Sequence, residues 1–439
     1  MSKRSPVDPN YVLPDPTAPG NYQREIYSSL RAPKFSTKPS EWETAARAAV
    51  PEANFLYVFG SASSGDTYNA NRAAFQRYRL RPRMLINVTL RDLRTTLFGK
   101  TYAHPLIVAP IGVQSILHEH GEEATARAAQ SVGVPMVLST AASRTIEQVS
   151  KANGDGERWF QLYWPKPQYE DVTISLLKRA QKEGYSTLVV TLDTFTLAWR
   201  PNDLDTSYLP FVWGEGCQIG LSDPVFNERY AEQVAKENKS VGEKLAEAKD
   251  IVTRPGSVVG ALKVLANAAT LKKSQAWMDV MNSGTYREWD HLKILRENWS
   301  GPIVLKGIQT VEDARLAIQH GMNGIVVSNH GGRQLDGAIA SLDALAEITA
   351  DEEVKSSKLT VLFDSGVRTG SDAIKALALG AKAVLIGRPY AYGLAMGGEE
   401  GVKHVLRCML ADLDNQLANL GKKSVEELSR NDLRIMEKL

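Results

Sequence analysis

Gly324-Ile325-Val326-Val327-Ser328-Asn329-His330-Gly331-Gly332-Arg333-Gln334-Leu335-Asp336-Gly337 is the stretch on which the fold of this chain turns. Its first four residues form a short apolar run, the pattern of a strand buried on both faces. A histidine and an arginine follow at the strand's exit, three residues apart with two glycines between them. Glycine lets the backbone turn sharply and leaves room for a flat ligand. In a barrel of parallel strands, that exit is the face where chemistry is done. There a base and a fixed cation can aim at one small anion. Taken alone, a His-x-x-Arg turn is as readily a polar connection with a capping role, so its context decides.

That context is a strand–helix rhythm. Strands are predicted at residues 105–111, 135–140, 159–164, 186–193, 302–308, 324–328, 359–364 and 383–386. Helices are predicted at 122–132, 145–153, 168–184, 286–298, 310–320, 341–353 and 370–379, with a closing helix from Gly401. The strands are rich in Val, Ile and Leu without alternation, as parallel strands covered on both faces are. Eight such units in this order argue for an α/β chain folded as a (β/α)8 TIM barrel rather than a doubly wound sheet.

Composition narrows the class. The chain has 439 residues, 43% of them hydrophobic and 23% charged, which is ordinary for a globular enzyme. A net charge of +2 gives no reason to expect nucleic acid or an anionic membrane surface as partner. No apolar run approaches the roughly 20 residues that span a bilayer, and the N-terminus lacks the apolar core of a secretory signal. Two cysteines, Cys217 and Cys408, are too few for a disulfide framework or a zinc site, so no metal is expected and a reducing compartment is. The ending Glu437-Lys438-Leu439 only approximates a peroxisomal signal, so a cytoplasmic location is expected, with the peroxisome second.

The barrel units divide the chain into four parts. Residues 1–104 are read as an N-terminal arm and barrel-closing segment, with a proline-rich extended stretch over 1–40, a helix over 42–49 and the basic run Arg79-Leu80-Arg81-Pro82-Arg83. Residues 105–200 carry the first four strands. Residues 201–285 are a lid or insertion, helical and exposed over 232–271, since an insertion this long in a compact barrel is usually a lid, an oligomer contact or a disordered segment. Residues 286–439 complete the barrel and its C-terminal helix and tail.

At this point a family resemblance becomes specific. Ala109-Pro110-Ile111-Gly112-Val113, Gln161-Leu162-Tyr163, Thr191-Leu192-Asp193-Thr194, Lys306-Gly307, the His330 run, Asp364-Ser365-Gly366-Val367-Arg368 and Ile386-Gly387-Arg388-Pro389 occur in order. Together they resemble the FMN-dependent 2-hydroxy acid oxidases and dehydrogenases from about Asn54 to about Met409. Within that family, Trp199-Arg200-Pro201-Asn202-Asp203-Leu204, Tyr208-Leu209-Pro210-Phe211, Ser64-Gly65-Asp66-Thr67 and the long lid after strand four resemble the lactate 2-monooxygenase type.

The resemblance implies FMN as cofactor and a small 2-hydroxy acid as substrate, of the L form, with oxygen accepting the electrons. It also implies a homo-oligomer, a tetramer or octamer. His330 would be the base and Asp193 the carboxylate that orients it and raises its pKa. Arg200 and Arg333 would clamp the substrate carboxylate, which a planar guanidinium matches better than an ammonium does. Tyr57 and Tyr163 would meet the substrate hydroxyl and carboxylate, although Tyr57 also reads as a core aromatic beside Phe55 and Phe59.

For the cofactor, Pro110, Ile111, Gly112, Ser139, Gln161, Thr191 and Ser328 would border the flavin ring. Lys306 would sit near its N1 and C2 carbonyl, and Asp364 would also contact the cofactor. Gly366, Arg368, Gly387 and Arg388 would hold the ribityl phosphate at the ends of strands seven and eight, a common phosphate site in such barrels. Lys306 equally reads as a lysine paired with a barrel carboxylate.

Departures from the family pattern sharpen the expectation. Pro110-Ile111-Gly112 replaces the Pro-Thr-Ala of many relatives, and Gly112 is expected to alter oxygen access or make space for a substrate side chain. Ala141 stands where short-chain oxidases often carry a bulky aromatic, so larger substrates than glycolate are expected. Residues 1–100 hold no paired-histidine haem motif, which favours oxygen as acceptor. Peroxide release and decarboxylation of retained product both remain open. So do a dehydrogenase using another acceptor and a flavin-binding barrel without catalysis.

Overall fold

The computed structural model describes residues 13–236, 267–281 and 284–436. Eight strands close into one parallel barrel: β1 (Leu106–Val108), β2 (Met136–Ser139), β3 (Arg158–Tyr163), β4 (Leu188–Thr191), β5 (Ile303–Ile308), β6 (Gly324–Val327), β7 (Thr360–Phe363) and β8 (Ala383–Ile386). Neighbours in sequence are neighbours in the sheet, and β8 pairs with β1 through Val384 and Leu106 to shut it. Every residue of β1, β2, β4, β6 and β8 is buried, which accounts for the unalternated apolar runs. The interior is packed with Ile107, Val137, Trp159, Val189, Val304, Val326, Leu362 and Leu385. A hairpin of Thr95–Leu97 and Lys100–Tyr102 adds Leu97 and Tyr102 to that cluster.

The outer ring consists of α1 (Gly121–Val132), α2 (Ile146–Asn153), α3 (Glu170–Lys182), α4 (Leu292–Asn298), α5 (Val311–Gln319), α6 (Ser341–Ile348), α7 (Gly370–Ala378) and α8 (Arg388–Leu420). Several starts are fixed by side chains accepting from the first turn's N–H groups. Thr145 caps α2 in a capping box with Gln148, Thr310 caps α5 and Thr369 caps α7. The (β/α)8 barrel expected from the sequence is the fold observed.

Local expectations are corrected in four places. The helix predicted over 341–353 ends at Ile348, and Asp351 caps a separate short helix, Glu352–Ser356. Only 292–298 of the stretch 286–298 is α-helical. The closing helix begins at Arg388 rather than Gly401, with a break at Gly397 and Gly398 where the backbone leaves helical angles. The segment read as an extended arm contains a helix, Asn21–Ser29.

The chain ends are also tied in a way not anticipated. Tyr78–Leu80 pairs antiparallel with Leu433–Ile435, and Gly20 N donates to Asp414 of α8 at 2.9 Å. Residues 437–439, and most of the stretch expected to be an exposed helix at 232–271, lie outside the described residues. Among the described residues no helix is long and apolar enough to cross a membrane.

Candidate active site

At the C-terminal mouth of the barrel an open cavity is lined by residues from most of the strand exits and from the segments around them. The β1 exit contributes Pro110, Ile111 and Gly112, β3 gives Tyr163, β5 gives Lys306 and β6 gives His330 and Arg333. The β7 and β8 exits add Asp364, Gly366, Arg368, Gly387 and Arg388. Tyr57 arrives from a helix outside the barrel, Glu52–Phe59, and Arg200 from the segment after β4. Leu197, Phe211 and Met281 supply an apolar wall, and Ala141 also lines the cavity.

Three residues on this lining hold left-handed backbone angles without being glycine: Val113 (φ 51°), His330 (φ 59°) and Ser365 (φ 83°). Each such conformation costs on the order of 1–3 kcal/mol and survives only where the surroundings enforce it. At His330 the enforcement is visible. Its backbone N–H donates to Ser328 Oγ at 3.1 Å, and the next N–H, of Gly331, donates to Ser365 Oγ at 3.0 Å. The preceding Asn329 exchanges two 2.8 Å amide hydrogen bonds with Asn71.

His330 Nδ1 lies 2.8 Å from Asp193 Oδ1. Because a carboxylate only accepts, this contact puts the ring proton on Nδ1 and leaves Nε2 with its lone pair. Thr194 Oγ1 donates to the same oxygen at 2.9 Å and stands 3.2 Å from Nδ1. Asp193 Oδ2 has no hydrogen-bond partner among the described residues but faces Lys306 Nζ at 3.8 Å. Lys306 Nζ is also 3.7 Å from Asp364 Oδ2. Burial works against the Lys306 charge, and the two carboxylates outweigh it and raise its pKa. Burial likewise opposes ionisation of Asp193, yet Lys306 and His330 hold its carboxyl well below the usual range.

The pKa of His330 departs from expectation. Burial is the largest influence and lowers it below the ordinary histidine value; the raising effect of Asp193 is partly cancelled by Lys306. The imidazole is therefore neutral, a proton acceptor, at neutral pH. Tyr57 and Tyr163 have the opposite fate, since burial raises both, Tyr163 to about 12. Their phenols keep their protons.

The β5 strand reaches Asp193 through Gly307. The β5–β6 register shifts between Lys306 and Ile308, and Gly307 has φ +106°. A Cβ there would stand 3.0 Å from Asp193 Cβ. The bulge thus lets the lysine and the aspartate share one corner of the cavity.

Arginines dominate the opposite wall. Arg200 Nε donates to the Arg333 carbonyl at 2.9 Å, and its Nη2 to Gln334 Oε1 at 2.7 Å. Arg333 Nη1 donates to the carbonyls of Val58 (3.2 Å) and Gly60 (2.7 Å). Arg388 donates to those of Phe59, Gly60 and Gly331. The Glu52–Phe59 helix thus points its unpaired C-terminal carbonyls at two guanidinium groups, satisfying its end and its dipole together. Burial pushes Arg333 down to about 9, and Arg200 and Arg388 push in the same direction. An anion in the cavity relieves that repulsion.

The fit to a phosphate-bearing cofactor can be tested on unspent donors. Arg368 Nη2 and Arg388 Nε are buried without a partner among the described residues, and both side chains line the cavity beside Gly366 and Gly387. Buried N–H groups left unpaired are costly, and a phosphate satisfies them. Arg388 spends both N–H groups of Nη2 and one of Nη1 on carbonyls, which leaves Nε and one Nη1 N–H for an anion.

Three further residues expected at the flavin edge lie behind the cavity lining. Ser139 Oγ donates to Gln161 Oε1 at 3.1 Å and Gln161 Nε2 to Thr191 Oγ1 at 2.9 Å, a row across the ends of β2, β3 and β4. Ser328 is fully buried and accepts from the His330 N–H.

A Cβ on Gly112 would lie 2.5 Å from the Ala141 carbonyl oxygen, so the glycine permits a close approach of the β1 and β2 loops at the cavity edge. Given no role in the sequence reading were Thr194, Ser365, Gln334 and the apolar wall of Leu197, Phe211 and Met281. The first three lie inside quoted motifs, so position alone was an available signal. The wall depends on tertiary folding and left none.

These features agree with the comparisons. The chain matches the FMN-dependent dehydrogenase family over residues 46–435. An FMN-dependent alpha-hydroxy acid dehydrogenase of Penicillium citrinum is 43% identical over 419 residues, covering 94% of this chain and 96% of that protein. An L-lactate oxidase of Lysinibacillus sphaericus is 37% identical over 389 residues, covering 89% and 90%. A solved structure of mandelate oxidase, 31% identical, covers 91% of this chain and 98% of its own with a TM-score of 0.72. Similarity of this extent, running through all eight strands and the residues around the cavity, makes the chain a member of the FMN-dependent dehydrogenase family, flavoproteins that carry FMN and oxidise 2-hydroxy acids.

Proposed function

We propose that this protein oxidises an L-2-hydroxy acid to the 2-oxo acid and passes the electrons to oxygen. The observation that supports this best is the 2.8 Å His330–Asp193 contact opening on the same cavity as Arg200, Arg333, Tyr57 and Tyr163. FMN, when bound, supplies a two-electron acceptor beside the substrate. Arg200 and Arg333 hold the substrate carboxylate, and Tyr57 and Tyr163, protonated, donate to its oxygens. His330 takes a proton from the substrate on Nε2. Asp193 stabilises the imidazolium that results, because its carboxylate stays charged against Nδ1–H.

Lys306, held charged by Asp193 and Asp364, compensates negative charge on the reduced cofactor. Arg368 Nη2 and Arg388 Nε, with the backbone of Gly366 and Gly387, take the phosphate. Pro110, Ile111 and Gly112 border the ring, with Ser139, Gln161, Thr191 and Ser328 backing the opposite wall. The apolar wall of Leu197, Phe211 and Met281 favours substrates with apolar side chains. Cytoplasmic residence and homo-oligomerisation belong to the same reading, the latter testable by sedimentation.

A second reading has its own support: the 43% identical relative from Penicillium citrinum is named a dehydrogenase, so a non-oxygen acceptor is the alternative. One experiment separates these. The holoenzyme is mixed anaerobically with L-lactate, L-mandelate and L-2-hydroxyisocaproate, then exposed to oxygen. Bleaching followed by 2-oxo acid and peroxide is expected. An acid one carbon shorter with carbon dioxide marks the monooxygenase, and reduced flavin that persists in oxygen marks the dehydrogenase. No bleaching by any of the three overturns the assignment.

A further inference from the structure

We infer that Gln334 is a positioning residue that fixes Arg200 relative to the His330–Asp193 couple. The inference rests on the functional reading above, in which Arg200 clamps the substrate carboxylate.

The Gln334 amide is spent on three contacts along the segment that follows β4. Its Nε2 donates to the Asp193 carbonyl at 2.7 Å and to the Thr196 carbonyl at 3.0 Å. Its Oε1 accepts from Arg200 Nη2 at 2.7 Å. The orientation of the amide is unambiguous, because two carbonyls face the nitrogen and a guanidinium faces the oxygen. One side chain therefore ties the backbone of the residue that orients the base to the side chain that meets the carboxylate.

Arg200 is buried beside Tyr57, and few hydrogen bonds besides the one from Gln334 set the direction of its guanidinium. Its Nε donates to the Arg333 carbonyl, and Asp203 stands at 3.9 Å from Nη1, too far for a hydrogen bond. A long side chain held at only one nitrogen samples several rotamers, and binding must then meet the cost of ordering it. With Gln334 in place the guanidinium plane is set before the substrate arrives, with Nη1 left unspent. Positioning errors of this kind weaken a bidentate pair more than a point-charge contact.

The test uses holoenzyme and stopped-flow anaerobic reduction with L-lactate, L-mandelate and L-2-hydroxyisocaproate, each beside its primary amide, which lacks the carboxylate. Gln334→Leu and Gln334→Met both remove the three hydrogen bonds at similar size. The expected result is a rise of about tenfold in the Kd of the acids, the loss of one charge-assisted hydrogen bond. The Kd of the amides should shift less than about twofold, with bound FMN and its spectrum unchanged. Combining Gln334→Met with Arg200→Lys should be no worse than Arg200→Lys alone, since a residue acting through another is non-additive with it.

Equal weakening of acid and amide, or additivity in the double variant, overturns the inference. So does loss of FMN or of the fold in both single variants, which makes Gln334 part of the scaffold. An unaltered Kd in the variants while the wild type is bleached overturns it alone. A wild type that no acid bleaches overturns the functional reading and this inference with it.

Discussion

His330 Nδ1 stands 2.8 Å from Asp193 Oδ1, and the other oxygen of that carboxylate faces Lys306 Nζ at 3.8 Å. The imidazole is thus pulled two ways. Burial and the ammonium lower its proton affinity, the carboxylate raises it, and burial prevails. A base must be unprotonated to act, and the protonated fraction grows as pH falls below the pKa. With that pKa lowered, kcat/KM should be level from about pH 6.5 upward through neutrality and fall only on the acid side of it. A pH profile of flavin reduction checks this; an acid limb centred above 7 would contradict it.

Removing the base should separate chemistry from cofactor binding. In His330→Ala the rate of flavin reduction is expected to fall by roughly 10²–10⁴-fold, the usual worth of a positioned proton acceptor. FMN content should not change, since the hydrogen bonds of the ring go to Asp193 and Thr194. Spectra of the purified variant give the content and stopped-flow gives the rate. A variant reduced at the wild-type rate would remove His330 from the mechanism.

Lys306 links the site to stability. Lys306→Met leaves Asp193 and Asp364 facing each other's corner of the cavity without the cation between them. Removing one partner of a buried ionic cluster costs on the order of 3–5 kcal/mol. The sign with pH follows from Asp193, whose folded pKa is depressed. Its stabilising contribution is present above the unfolded carboxyl value of about 4 and is lost as pH falls further. The melting temperature of the variant should therefore lie well below wild type from pH 7 down to about pH 4, and the gap should narrow only as pH falls below that value. FMN should also be held more weakly. A gap that widens on acidification would show that the charge cluster is not its origin.

What the sequence disclosed, and what it hid, divides along the range of the interactions. The strands were legible because each is an unbroken apolar run, and the His330 loop because its residue types cluster within ten positions. The pKa direction of His330 was misjudged, since a carboxylate neighbour can be read from a motif while burial cannot. The clasp between Tyr78–Leu80 and Leu433–Ile435 joins segments far apart in the chain, beyond any local pattern. Helix α8 was cut short because Gly387, Gly393, Gly397, Gly398 and Gly401 imitate a loop. Two of them are helix-on-helix contacts: a Cβ on Gly401 would fall 2.0 Å from the Gly393 carbonyl.

Gly112 offers the sharpest test of that distinction, because motif comparison and structure assign it different reasons. Its φ is not in the left-handed region, so the backbone there would accept alanine. The obstacle is steric: the added Cβ would lie 2.5 Å from the Ala141 oxygen and 2.7 Å from the Ala141 Cβ. That oxygen also accepts the Val113 N–H at 2.9 Å, so it cannot retreat without breaking the link between the β1 and β2 loops. Gly112→Ala should destabilise the protein by roughly 1–3 kcal/mol, as overpacking does. Ala141→Gly should not rescue it, since the carbonyl remains in the way. The order of preference among 2-hydroxy acids should stay the same in the variant. Melting curves and a substrate panel check both parts. An unchanged melting temperature with a reordered panel would return Gly112 to the role of shaping the substrate pocket.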